Sequence, residues 1–332
     1  MPPNHLETHA FIYPGRPCTS PESTYTSHSI SILHLEYFKL LPTGRLQLLT
    51  YDPHNHSDTQ NAFDPSHHPH AQQGILVTVS AGYDAITTLF DNMNGEYWGC
   101  INTLTTFVTT HSSSILGIDL DFEIYPAWPR ELFTSFVGFC TDLGHHLHAH
   151  KKLLSICAPS WGGPPFHPSP RNFDLSVLGA LECVDMLVLM TYDAQDLTSL
   201  TPENGEPTPV TPRSWLRGFV GYALTQLPPH KILVGIPSYG YHRKGDKTRL
   251  LTRDQILEIA PGVVEESVRE LDGMELVLRM NKHQKWRFGR GADEAIVMND
   301  ERSVRAKVDA LVGLPVRGIA VWHLGGGNPW IE

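Results

Sequence analysis

The segment Leu116–Glu123 reads LGIDLDFE and places three acids, Asp119, Asp121 and Glu123, at alternate positions. Side chains alternate between the faces of a β-strand, so the three carboxyls share one face and Leu120 and Phe122 share the other. Carboxylates this close repel, and burial strips their hydration. Such a stack persists only where some members are protonated or hydrogen-bonded, which drives their pKa values apart. A protonated acid beside a charged neighbour is the equipment of general acid–base catalysis. Glu123, last along the strand, is the natural proton donor. The competing arrangement is an edge strand with its acids in water, leaving Ile115, Ile118, Leu120 and Phe122 to pack on one side.

These acids need a scaffold, and the rest of the chain supplies one. Eight short apolar runs recur: His9–Tyr13, Ser31–Phe38, Ile75–Ser80, Ile115–Asp121, Leu153–Ala158, Val184–Met190, Ile232–Ile236 and Gly318–Trp322. Near-continuous apolar runs imply strands buried on both faces, as in parallel sheets covered by helices. Helical stretches are predicted over Pro129–Lys151, Pro212–Gln226 and Glu301–Val312. The pattern predicts an α/β fold, a (β/α)8 or TIM barrel, in which active residues sit at the C-terminal strand ends. Glu123 falls at such an end. The stretch 241–300 holds a short helix (Thr252–Ile259) and alternating runs (MELVLRM, KWRF). It reads as a small α+β insertion between strand seven and helix seven, within a single domain spanning 1–332. Cys18–Ser29 and Pro53–Gln73 read as irregular loop. Few residues follow the eighth run, so the eighth helix is expected to be missing or cut off.

The 332 residues are 41% hydrophobic and 18% charged, an ordinary globular balance. With 25 Lys plus Arg against 35 Asp plus Glu, the net charge is −10. That argues against a chain built to grip nucleic acid or an anionic membrane. No apolar run reaches the roughly 18 residues of a membrane span, and the first residues lack a secretory leader's pattern. The chain as written is expected in the cytoplasm, or outside it if a leader has been removed or another export route is used. The five Cys (18, 100, 140, 157, 183) form no CxxC and are expected as buried thiols. Two histidine groups, at 54, 56, 67, 68 and 70 and at 145, 146, 148 and 150, lack a metal site's convergent spacing. No metal or organic cofactor is expected. Asn55-His56-Ser57 is a glycosylation sequon, relevant only in a secreted chain.

LGIDLDFE resembles the DGxDxDxE signature of glycoside hydrolase family 18, the chitinase-like family. Ser80-Ala81-Gly82 is similar to its strand-three SxGG motif, with Tyr83 in place of the second Gly. Val188–Asp193 (VLMTYD), Lys231–Gly240 (KILVGIPSYG) and Gly318–Gly325 (GIAVWHLG) resemble its motifs on strands six, seven and eight. Five motifs in order cover about residues 8–325. The short insertion and the WHLGGGNPW ending look most like compact bacterial members, including those acting on spore or cell-wall glycans. Leu116 stands where the signature's first acid would be; in the family that acid helps hold the second. The changed strand-three motif is expected to alter packing around Asp121 and Glu123.

The resemblance implies a retaining, substrate-assisted cleavage of β-1,4-linked N-acetylglucosamine glycans, outside the usual two-carboxylate rule. Glu123 would be acid and then base, Asp121 would orient the 2-acetamido group, and Tyr192 would bond its oxygen. Asp119 would be a proton partner of Asp121, or a purely structural buried acid. Trp322 would floor the sugar site and Asp193 would bond sugar hydroxyls. Met190 would line the barrel and brush the sugar; Tyr239 and Trp161 would line subsites. Candidate substrates are chitin, its oligomers, peptidoglycan and N-glycan cores, met by a monomer. A chitinase-like lectin is the alternative from another class. Family lectins usually lose the acid that Glu123 retains. A third alternative, a two-carboxylate barrel hydrolase, would cleave glucosides lacking the N-acetyl group.

Overall fold

In a computed structural model of the chain, the described residues are 6–12, 30–49, 74–91, 95–111, 114–125, 127–160, 172–193, 209–244, 247–260, 272–280, 286–287 and 294–325. Each of the eight apolar runs is a strand. They are β1 (Glu7–Ile12), β2 (Ile32–Leu40), β4 (Gly74–Ala81), β5 (Ile115–Phe122), β6 (Leu153–Pro159), β7 (Met186–Met190), β8 (Ile232–Pro237) and β14 (Gly318–Leu324). Every neighbouring pair is parallel, and β1 pairs with both β14 and β2, so the sheet closes on itself. A short strand, β3 (Leu46–Leu48), returns antiparallel on β2. This is the predicted eight-stranded barrel.

Two apolar layers follow from the strand alternation. The outward residues pack under helices α1 (Tyr83–Asp91), α2 (Glu96–Thr110), α3 (Arg130–Ala149), α4 (Leu175–Ala180) and α5 (Arg213–Gln226). Leu120 and Phe122 face this layer as predicted; the Phe122 ring lies 5.7 Å from Phe136 and 5.9 Å from Phe139 of α3. The predicted starts at Pro129 and Pro212 fall one residue early, because both prolines are N-caps with extended ψ of 139° and 130°. The inner layer is small: Phe11, Ile32, Leu76, Cys157, Met186, Val188, Met190, Leu233 and Ala320 fill the barrel.

The stretch after β8 forms its own antiparallel sheet from β9 (Gly240–Lys244), β10 (Lys247–Leu251), β11 (Leu276–Met280), β12 (Trp286–Arg287) and β13 (Glu294–Met298), with α6 (Arg253–Ile259) across it. Thr252 and Gln255 form a reciprocal capping box that starts α6. Asp300 and Ser303 do the same for α7 (Glu301–Asp309). A buried polar joint ties the insertion to the barrel. Glu275 accepts from Val210 N (2.7 Å) and Thr211 N (3.1 Å) and pairs with Lys307 Nζ at 3.0 Å. Lys307 also donates to Asn299 Oδ1 (2.7 Å), whose amide donates to Tyr239 O (2.9 Å). Among the described residues no helix is long and apolar enough to cross a membrane.

Two loops predicted irregular, Cys18–Ser29 and Pro53–Gln73, lie outside the described residues, with Cys18 and the first histidine group. The other four cysteines are buried free thiols. In the second histidine group, His146 Nδ1 contacts Asp142 O at 2.8 Å and His148 pairs with Asp185 at 2.9 Å.

Candidate active site

β5 delivers the carboxyl stack to the barrel axis, and its neighbours make that possible. An ideal Cβ on Gly117 would sit 2.0 Å from Leu153 O, so only glycine lets β6 approach there. Ile75 faces Ile115 but Leu76 faces Gly117, so Leu116 is the extra residue of a bulge. The bulge turns Leu116 onto the inner apolar cluster. The residue replacing the signature's first acid is therefore barrel filling.

From the bulge onward the register is regular: Thr78 lies opposite Asp119 and Ser80 opposite Asp121. Asp119 is fully buried. Its Oδ2 accepts from Thr78 Oγ1 at 3.0 Å and lies 3.1 Å from His34 Nδ1, with Cys157 Sγ at 3.6 Å. Burial pushes its pKa up, but the charge and contact of His34, with the Ser155 and Thr78 hydroxyls, outweigh burial and hold it below the ordinary value. Asp121 is the opposite case. Burial, then the charges of Glu123, Asp119 and Glu36, push its carboxyl well above the usual range. Its Oδ1 is buried without a hydrogen-bond partner.

Glu123 follows the end of β5, its backbone N–H fixed to Ala81 O at 2.8 Å. Burial raises its pKa, the charges of Asp193 and Glu36 add to this, and a 3.4 Å bond from Tyr125 Oη opposes it. The three acids thus separate into one below and two above the normal range, as the alternating pattern predicts.

The strand ends across the barrel supply an aromatic group. Thr191 Oγ1 donates to Gly235 O at 2.6 Å and fixes the chain just before Tyr192. Gly235 leaves room for that ring, since a Cβ there would lie 2.9 Å from Tyr192 Cε1. Tyr192 stacks on Trp322, centroids 5.9 Å apart at 26°, and Tyr239 meets Trp322 edge-on at 4.9 Å. The Trp322–His323 peptide bond is cis. Met190 is nearly buried beside Tyr192 and Trp322 in the inner cluster.

Asp193 takes a left-handed backbone, φ +52°. Its Oδ1 accepts from Tyr239 Oη (2.7 Å) and Tyr241 Oη (2.9 Å). Burial outweighs both bonds and lifts its pKa to about 6.

The structure thus brings Asp119, Asp121, Glu123, Tyr192, Asp193, Trp322 and Met190 together at one end of the barrel. Tyr239 departs from the expectation that it lines a subsite. It is fully buried and its hydroxyl is spent on Asp193, so it backs the site. Trp161 lies outside the described residues. Tyr83 does not repack around Asp121 and Glu123; it opens α1 with 51% of its surface exposed. Sequence reasoning missed His34, Glu36, Tyr125 and Tyr241. A signal existed for two of them: Ile32, His34 and Glu36 alternate along β2, the parity that faces the barrel interior.

Fold and site together define a (β/α)8 barrel with a graded carboxyl stack at the mouth where such barrels carry their chemistry. The chain belongs to glycosyl hydrolases family 18, whose sequence pattern matches residues 43–327. It is 27% identical over 219 residues to the cortical fragment-lytic enzyme of Bacillus subtilis (strain 168), a match covering 63% of this chain and 46% of that one. The chain spans about half the length of the curated relatives it matches. Its fold is similar to a class V chitinase from Pseudomonas fluorescens Pf-5, with TM-score 0.72, 21% identity and coverage of 97% and 96% of the two chains. It is also similar to a chitinase from Chromobacterium violaceum ATCC 12472, with TM-score 0.69, 20% identity and coverage of 98% and 95%.

Proposed function

We propose that this chain is a retaining glycosidase that cleaves β-1,4-linked N-acetylglucosamine glycans with help from the substrate's own acetamido group. The observation that carries the reading is the pair at the strand end. Asp121 has a buried oxygen without a partner, and two residues on, just past the strand end, stands Glu123, whose pKa burial raises in the direction a proton donor needs.

Glu123 donates that proton to the glycosidic oxygen as the C1–O bond breaks. The acetamido carbonyl oxygen attacks C1 from the opposite face and forms an oxazolinium ring. Asp121 accepts the acetamido N–H on a carboxyl oxygen and orients the group for attack. Tyr192 bonds the acetamido oxygen, and Trp322 lies under the sugar ring. Glu123, now a carboxylate, takes a proton from water as the water oxygen attacks C1; the C1–O bond of the oxazolinium ring breaks, the acetamido group is restored, and the configuration is retained. Asp119 supports Asp121 from below. Asp193 offers its second carboxyl oxygen to sugar hydroxyls.

Chitooligosaccharides are the first substrate class. A second is the glycan of peptidoglycan, favoured by the similarity to a cortical fragment-lytic enzyme. The experiment compares wild type with Glu123→Gln on chitooligosaccharides and on peptidoglycan fragments, following product mass and anomeric form. Wild type is expected to release β-anomers first, and Glu123→Gln to lose about 10²–10⁴-fold in kcat. Saturable binding of these glycans by both proteins with no cleavage by either would replace the enzyme with a lectin. Equal cleavage of glucosides lacking the acetamido group would remove the substrate-assisted step.

A further inference from the structure

Below the carboxyl stack runs a second line of titratable groups that the reaction above does not use. At the foot of the barrel Arg317 Nε donates to Glu7 Oε2 at 2.8 Å, and His9 Nε2 lies 3.2 Å from the same oxygen. His9 Nδ1 lies 2.9 Å from His34 Nε2, and His34 Nδ1 lies 3.1 Å from Asp119 Oδ2. The side chains of His9, His34 and Asp119 have no exposure, whereas Arg317 and Glu7 keep 24% and 30%. The line therefore begins at a partly solvated ion pair and ends on the lowest acid of the stack.

The protons along it can be counted. Glu7 is ionised: the His9 bond and Arg317 outweigh its burial and draw its pKa to about 2. An ionised oxygen only accepts, so His9 Nε2 carries a hydrogen. His9 itself is neutral, because burial outweighs the Glu7 bond and lowers its pKa to about 4. A neutral imidazole has one N–H, so His9 Nδ1 is bare and His34 Nε2 must donate to it. His34 Nδ1 then lies at an ion-pair distance, 3.1 Å, from Asp119 Oδ2. With no proton between them, two lone pairs would repel in a dry site. Thr78 Oγ1 donates to that same oxygen, which favours the carboxylate form.

We infer that the shared proton resides on His34, and that the buried His34 imidazolium is the positioning residue that keeps Asp119 charged beneath the reacting pair. A charged Asp119 adds to burial in raising the pKa of Asp121. The titratable groups facing this arrangement are Glu7 and His9 from β1, Glu36 from β2, Asp121 and Glu123 on and after β5, and Cys157 from β6. Asp193, after β7, acts on Glu123.

The test has two arms, and only the kinetic one rests on the function proposed above. In the first, the full chain labelled with ¹⁵N-histidine is observed by NMR from pH 5.5 to 8 without substrate, with His9 and His34 assigned through the backbone. His34 is expected with both ring nitrogens protonated and His9 as the neutral Nε2–H tautomer. A neutral His34 ring through this range overturns the inference, whatever the variants do. In the second, kcat and KM for chitooligosaccharides are measured against pH for His34→Phe, His34→Gln, Asp119→Asn and the double variant His34→Phe/Asp119→Asn. Without His34, Asp119 takes up its own proton and stops raising Asp121. The alkaline limb of kcat, which reports loss of the last proton held by the Asp121–Glu123 pair, is then expected to fall by about one pH unit, a tenfold loss on that limb, with KM little changed. His34→Gln, which keeps a donor without the charge, should share that shift. The double variant should match Asp119→Asn alone, because the two residues act as one unit. A uniform loss at every pH, or additive effects in the double variant, would reduce His34 to packing. A protein inactive on every glycan but with an imidazolium His34 would sink the glycosidase reading and leave the charge pair standing.

Discussion

Replacing Asp193 by Asn isolates one charge with almost no change of shape. Both tyrosine hydroxyls donate to Oδ1, and the Asn carbonyl oxygen accepts them equally. The left-handed backbone at φ +52° suits Asn as well as Asp. What differs is ionisation. The Asp193 pKa stands at about 6 in the fold against 3.8 for a free side chain. Between those values the folded protein binds more protons than the unfolded chain, so wild-type stability falls as pH rises through that window and levels off above it. At 1.36 kcal/mol per pH unit the fall is about 3 kcal/mol, and the site is enclosed enough that solvent screens little of it. The variant has no such fall. Urea unfolding of both proteins from pH 3.5 to 7.5 should therefore show Asp193→Asn gaining on wild type by about 3 kcal/mol, nearly all of it below pH 6.5. A stability gap that ignores pH would refute the argument. A gap that opens in the other direction would mean that the tyrosine bonds overcome burial.

Three further outcomes follow from single contacts. Tyr125→Phe removes the bond that opposes burial at Glu123, so the alkaline limb of kcat should move to higher pH; an unmoved limb would show the 3.4 Å contact to be idle. Gly235→Ala puts a Cβ 2.5 Å from Leu189 O and 2.9 Å from Tyr192 Cε1. Overpacking of this kind costs about 1–3 kcal/mol, and catalytic efficiency should fall with the displaced phenol, as seen by melting and by kcat/KM on chitooligosaccharides. Lys307→Met strips Glu275 of its buried cation and should cost about 3–5 kcal/mol in denaturant unfolding, whereas a Lys307→Met/Glu275→Gln double variant should recover part of that.

The barrel was legible because its strands are buried on both faces and so appear as apolar runs such as ILVTVS and ILVGI, separated by helical stretches. The stack was legible because three acids with period two alternate with Leu120 and Phe122 in one of eight apolar runs, at a strand end where such barrels carry their chemistry. Other members of the site were hidden for particular reasons. His34 takes its meaning from Asp119, eighty-five positions away, and that contact exists only because β2, β4 and β5 are adjacent in the closed sheet. Glu7, His9 and Phe11 alternate on β1 as Ile32, His34 and Glu36 do on β2, yet a period-two polar pattern alone does not distinguish inward from outward. Tyr241 looked like the start of an accessory insertion. Leu116 looked like a defect in a motif until the bulge showed that its side chain fills the barrel.

The joint between insertion and barrel has a consequence for how such a protein can be altered. Tyr241 reaches Asp193 from the first strand of the insertion, and Tyr239 is held from behind by Asn299, which Lys307 and Glu275 anchor in turn. The five-stranded sheet is thus no interchangeable module. Grafting a different loop between Tyr239 and Asp300 would remove a phenol from Asp193 and the clamp from its partner. Changes of substrate range are therefore open to the solvent-facing residues of that sheet, while its root is constrained as tightly as the carboxyls themselves.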